Sequence, residues 1–363
     1  MTNPRCIPIN RIPTLDGWRA VAIAMVLVAH FVPVSHGNTI PPWASSVGMT
    51  GVGVFFVLSG FLITSRLMTE RGGVNLRRFY MRRMFRIMPC AWAYLIVAFI
   101  LVRSHMHAGE VTSCVLFFRN YVSFGMFSFT VHFWSLSIEE QFYLIWPGVF
   151  VIAGTRRAGW IALTGAVILA ALRYQHWSYY ASLPLPGSTH TELCADGLLV
   201  GCAAAILSPK CKGVRLPTYP LVLAFAWCVY HYSSFVPLVE STIIALLLLS
   251  TTLHSTTKLA KALEMPALRY IGKLSYSIYI WQQIPAAFYA HNLAVLPYKI
   301  VVLSVVVLVS YYGLEKPMIS FGKTVCRIAC STQGERGTMG TCEPPRGYSR
   351  KCIGRVTPGV PSN

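Results

Sequence analysis

Apolar residues in this chain gather into ten separate blocks, at 18–34, 47–65, 88–103, 137–153, 159–173, 193–207, 219–232, 236–253, 275–292 and 297–314. A helix needs about 17 to 25 residues to cross the roughly 30 Å hydrocarbon layer, and slightly shorter blocks serve when flanking side chains snorkel. The expected fold is therefore all-α, a polytopic integral membrane protein of about ten transmembrane helices. Composition agrees, since 55% of the residues are hydrophobic and only 12% charged, about half the charged share of soluble domains. The first block lacks a small-x-small cleavage site and is followed at once by another, so it reads as an uncleaved first helix. Residues 1–320 are expected to form one membrane domain. Residues 321–363, rich in Gly, Pro, Arg and Ser, are expected to be a disordered basic tail. Loop 104–136 is expected outside, partly re-entrant at 115–129.

Charge sets the orientation. The formal net charge is +19, with 31 Lys and Arg against 12 acids, a balance that by itself would admit a nucleic-acid partner. The distribution excludes that class: 27 of the 31 basic residues fall in the tail and in alternate connections, and only Arg103, Arg119, Arg173 and Lys299 fall on the other side. The positive-inside rule then places both termini in the cytoplasm, and the basic pI reports topology and affinity for anionic membrane lipid. The 11 cysteines include no CxxC and no zinc spacing with His, so no metal is expected, and nothing in the sequence pairs Cys114 with Cys194. No nucleotide loop, dinucleotide fingerprint, nucleophile elbow or HExxH motif is present.

Three stations carry candidate chemistry. Arg19 and His30 lie eleven residues apart, three turns and about 16 Å along one stripe of the first helix. This places Arg19 at the cytoplasmic edge and His30 near the bilayer centre, where an ionisable group is costly enough to suggest a function; the alternative is a His hydrogen-bonded to a neighbouring helix. The second connection holds seven Arg and no Lys. In it Arg82, Arg83 and Arg86 share one helix face and can converge on phosphate through planar forks, a role that simple inside-anchoring charges would not need. The stretch HFWSLSIEEQFYLIWP at 132–147 opens a helix with Ser137 and Glu140 in capping-box spacing. Adjacent Glu139 and Glu140 point about 100° apart, so they are not expected to serve one site as a carboxylate dyad; one is free to face the cavity while the other caps.

At these stations the chain resembles the acyltransferase 3 family of membrane acetylases, which modify bacterial O-antigen, exopolysaccharide, peptidoglycan and nodulation factors. The resemblance covers about residues 11–320. It rests on RIPTLDGWRAVAIAMVLVAHF, GVFFVLSGFLIT, FYMRRMFRIMP, HFWSLSIEEQFYLIWP, LSYSIYIWQQI and LEKP. It implies a bacterial inner-membrane enzyme that uses acyl-CoA as donor substrate, with no bound cofactor, and a glycan or lipid-linked sugar as acceptor. Arg19, His30 and Glu139 are then the expected catalytic residues. Arg82, Arg83 and Arg86 are expected to bind the donor, and Trp134, Ser137 and Glu140 the acceptor. Where many members have a further His, this chain has Gln282, and the esterase-like outer domain of some members is not expected. The competing class is a transporter or flippase of an anionic lipid-linked sugar, against which the lack of an internal repeat counts.

Overall fold

A computed structural model describes residues 12–32, 41–70, 74–102, 107–122, 129–175, 189–211, 213–231, 236–254, 256–288 and 295–336, and every regular element among them is helical. In chain order these are α1 (Pro13–Phe31), α2 (Pro42–Thr69), α3 (Leu76–Val102), α4 (Ala108–Val115), a 3₁₀ turn (Arg119–Tyr121), α5 (Phe133–Gln175), α6 (Thr191–Cys194), α7 (Asp196–Leu207), α8 (Thr218–Tyr230), α9 (Val236–Leu253), α10 (Lys258–Leu263), α11 (Pro266–Trp281), α12 (Gln283–Phe288), α13 (Leu296–Ser310), a π-helical turn (Tyr311–Glu315) and α14 (Lys316–Arg336).

Each of the ten apolar blocks falls, in its described part, on helix. By length and composition five helical stretches can cross a membrane: α1, α2, α3, α5 and the continuous run from Leu296 to Cys326. The 43-residue α5 is two helices in series, broken at Gly154, whose φ of 72° is a left-handed conformation that costs glycine little. The halves carry the blocks expected at 137–153 and 159–173.

Helices α1 and α2 form the centre, with α11 against α1 and α7 against α2. Lipid offers no hydrophobic gain for helix association, so close backbone approach does the work. At the α2–α7 crossing a Cβ on Gly60 would overlap the Leu198 carbonyl, and one on Gly201 would overlap the Val57 carbonyl. Hydroxyls add polar ties inside the bundle: Trp18 Nε1 donates to Thr251 Oγ1 at 3.0 Å and Trp146 Nε1 to Thr64 Oγ1 at 2.9 Å. The outward surface is the reverse of a soluble protein's, with Ile96, Ile100, Leu144, Ile145, Ile152 and Val309 all exposed.

One expectation needs correction. The segment from residue 321, expected to lack structure, continues as helix to Arg336, because Phe321 and Gly322 pack on Phe85 of α3 and Cys326 is buried there; residues 337–363 lie outside the described set. The loop expected outside contains α4, and its expected re-entrant stretch lies partly outside the described residues. His30 stands in the last turn of α1, which stops at Phe31. Cys114 and Cys194 are both free thiols.

Candidate active site

The site begins where α3 and α5 face each other across the end of α2. Arg83 is almost enclosed, and its guanidinium meets both acids of α5: Nε donates to Glu140 Oε2 at 3.0 Å, and Nη2 to Glu140 Oε1 at 2.5 Å and Glu139 Oε1 at 3.2 Å. The plane of the guanidinium lies 3.1 Å from the Tyr143 ring centroid, so a cation, two carboxylates and an aromatic face form one buried knot. Ser59 of α2 closes it by donating to Glu139 Oε1 at 2.8 Å, while Tyr143 donates to the Ser59 carbonyl at 3.2 Å.

This knot changes two of the sequence expectations. Glu139 and Glu140 both reach one guanidinium despite their divergence around the helix, because the fork is wide enough to meet both. Arg83, expected on the donor, is already committed to them. The capping box is also absent. The helix starts at Phe133, since Phe133 and Leu136 are core residues that draw the first turn inward. The buried Ser137 hydroxyl instead accepts the Arg119 backbone N–H at 3.2 Å, and Trp134 meets Phe56 edge-on at 6.2 Å between centroids.

Around the knot lies a basin of cations. Arg19 holds Asp16 one turn earlier at 3.5 Å and lies within electrostatic range of Arg86, Glu139 and Tyr143. Arg82 buries an Nε with no partner, and neither Arg82 nor Arg86 forms an ion pair with the described residues. Arg66 of α2 faces Arg82 and Arg86. One acid looks on from the far side: Glu315, in the π-helical turn, accepts from Ser277 Oγ at 2.6 Å and lies within range of Arg86 and Arg19. The late sequence motifs LSYSIYIW and LEKP thus meet at this basin, and Tyr276 ties α11 to α3 by donating to the Ile87 carbonyl at 2.6 Å.

The other end of the α1 stripe carries His30. Its Nδ1 is 2.9 Å from the Val26 carbonyl. A carbonyl only accepts, so Nδ1 carries the proton and Nε2 presents its lone pair. The contact also fixes the ring's orientation. The arrangement therefore offers an anion-binding basin, a rigid acid knot beside it, and a tautomer-fixed imidazole eleven residues, or about 16 Å, further along the same helix. Gln282, in place of a second His, is fully buried with neither amide atom bonded among the described residues. Among the described residues no cluster of His, Cys, Asp and Glu suits a metal.

Sequence reasoning missed Ser59, Tyr143, Arg66 and Glu315. Glu315 and Ser59 lie in motifs already visible, LEKP and VLSGF, but only the folded chain brings them to the arginines.

Comparison with known proteins bears on this geometry. Residues 12–314 match the model of a family described as an acyltransferase domain. YrhL of Bacillus subtilis is 30% identical over 86% of this chain and 55% of its own length. OatA of Listeria monocytogenes, named a peptidoglycan O-acetyltransferase, is 29% identical over 74% of this chain and 48% of its own length. This chain thus spans about half the length of the curated relatives it matches. No solved structure matches it significantly.

Proposed function

This chain belongs to the acyltransferase family whose model spans residues 12–314, and on that premise we propose that it is a membrane O-acyltransferase carrying acetyl or another short acyl group from cytoplasmic acyl-CoA to a hydroxyl of a glycan or glycolipid. The observation that carries this reading is the division of α1 between the arginine basin at Arg19 and the oriented imidazole at His30. A donor anchored by phosphates at one end must reach the other through an extended arm, and a phosphopantetheine thioester has that shape. Arg82 and Arg86, which have no carboxylate partner, bind the phosphates; Arg83, with Glu139 and Glu140, holds α3 against α5 so that they converge. Peptidoglycan, the substrate in OatA's name, is one candidate acceptor beside O-antigen, exopolysaccharide and a lipochitooligosaccharide.

In the transfer, His30 Nε2 takes the proton from the acceptor hydroxyl as its oxygen attacks the thioester carbonyl. The C–S bond then breaks, the ester remains on the acceptor, and the CoA sulfur leaves with the proton from His30. The chain works in a bacterial inner membrane, crossing it ten times with both termini inside, so that the donor enters from the cytoplasm and the acceptor from the opposite face.

The test is to incubate purified, reconstituted protein with acetyl-CoA and a lipid-linked glycan, following free thiol and acceptor mass. Stoichiometric CoA release with an acetylated acceptor is expected. Movement of the glycan across the membrane without thiol release would replace the reading with a transporter.

A further inference from the structure

The turn that enters α5 holds a second imidazole, and nothing so far assigns it a task. His132 is 3% exposed. Its ring is held edgewise by Tyr94 at 5.1 Å, Phe133 at 5.0 Å and Tyr279 at 5.6 Å between centroids. Its backbone is pinned as well, since the Tyr279 hydroxyl donates to the His132 carbonyl at 2.7 Å. Yet no hydrogen bond of ordinary geometry reaches either ring nitrogen among the described residues, the Ile280 backbone interacting with the ring only at longer range. Leaving a buried polar group unsatisfied costs about 1–3 kcal/mol, and a side chain needed only for packing there would more cheaply be Phe. Such an enclosed ring is uncharged and has one N–H to give.

Its neighbourhood is that of His30. Leu27 and Phe31, which flank His30 on α1, pack on the same apolar cluster as Tyr94, Phe133 and Tyr279, and the two imidazoles lie within electrostatic range of each other. The Ile280 backbone, as an acceptor, and Arg119, as a cation, are the other polar groups that act on His132.

Building on the transferase reading, we infer that His132 is a second catalytic imidazole, which donates its N–H to the carbonyl oxygen of the acyl thioester while His30 takes the proton of the acceptor hydroxyl. As the acceptor oxygen bonds to the carbonyl carbon, the C=O electron pair moves onto oxygen and is held by the His132 N–H. Its return re-forms C=O and expels the CoA sulfur, which receives the proton from His30. A neutral donor fixed in an apolar enclosure needs no reorganisation as that charge develops, and it keeps its proton throughout.

Two variants test this by steady-state rates per inserted molecule, with acetyl-CoA and a glycan acceptor. His132→Phe keeps the aromatic packing and removes the donor; turnover should fall roughly 10²- to 10³-fold, the usual effect of losing one such donor, with the KM for acetyl-CoA little changed. His132→Asn restores a neutral N–H and should regain at least tenfold of that loss, with the KM for acetyl-CoA again little changed. His132→Phe turning over within threefold of wild type would overturn the assignment and leave the transferase intact. Equal loss in both variants would overturn the donor role in favour of a base or a structural His. Wild type that never releases CoA would refute the transferase reading and this inference together.

Discussion

Arg83 shows how a single guanidinium can be structural inside an otherwise functional cluster. Removing it leaves two enclosed carboxylates side by side, and breaking a buried pair costs about 3–5 kcal/mol. Arg83→Ala should therefore insert poorly or melt early, and Arg83→Lys should recover only part of the stability, because an ammonium cannot bridge both acids. Thermal melting in detergent checks this. Arg82→Ala and Arg86→Ala should melt normally but raise the KM for acyl-CoA by roughly 10- to 100-fold, the value of a lost charge-assisted hydrogen bond of about 1.5–3 kcal/mol. Unchanged KM in both would return these arginines to a topological role. The sequence made the residue types and their face legible: three arginines at i, i+1 and i+4, and two adjacent acids among aromatics. It did not reveal which arginine the acids consume, because that depends on where α3 and α5 meet across 56 residues of chain.

At the scale of elements, positions of helices were legible from hydropathy and their ends were not. The α5 start was misplaced because Ser137 and Glu140 satisfy a capping pattern, while burial of Phe133 and Leu136 extends the helix by a turn. The end of α14 was misplaced for a similar reason: the residues after 321 look polar, but Cys326 reaches the Arg78 carbonyl at 3.8 Å and Gly322 seats on Phe85. Deleting residues 337–363 should leave insertion, melting temperature and activity unchanged. Deleting 323–363 should loosen α3, lowering the melting temperature and raising the donor KM. Equal behaviour of the two truncations would show that α14 does not brace the arginine basin. At the α2–α7 crossing, Gly60→Leu should abolish stable insertion, since its side chain would occupy the Leu198 backbone, whereas Gly148→Leu, which meets open space, should be tolerated.

For the whole molecule, the membrane class follows from composition and block structure, and the proposed orientation rests on the partition of 27 of 31 basic residues. A reporter fused after Thr332 should report cytoplasm and one inserted at His107 the outside; the reverse would put the arginine basin on the wrong face for a cytoplasmic donor. With that orientation, α1 carries both Arg19 on the donor side and His30 toward the acceptor side, and the account depends on the imidazole at its far end. The most direct measurement is the turnover of His30→Asn, per inserted molecule, with acetyl-CoA and a glycan acceptor. Asn keeps a polar side chain able to donate to the Val26 carbonyl and lacks the titrating nitrogen, so the rate should fall roughly 10²- to 10⁴-fold with donor KM nearly unchanged. A rate within threefold of wild type would contradict the account.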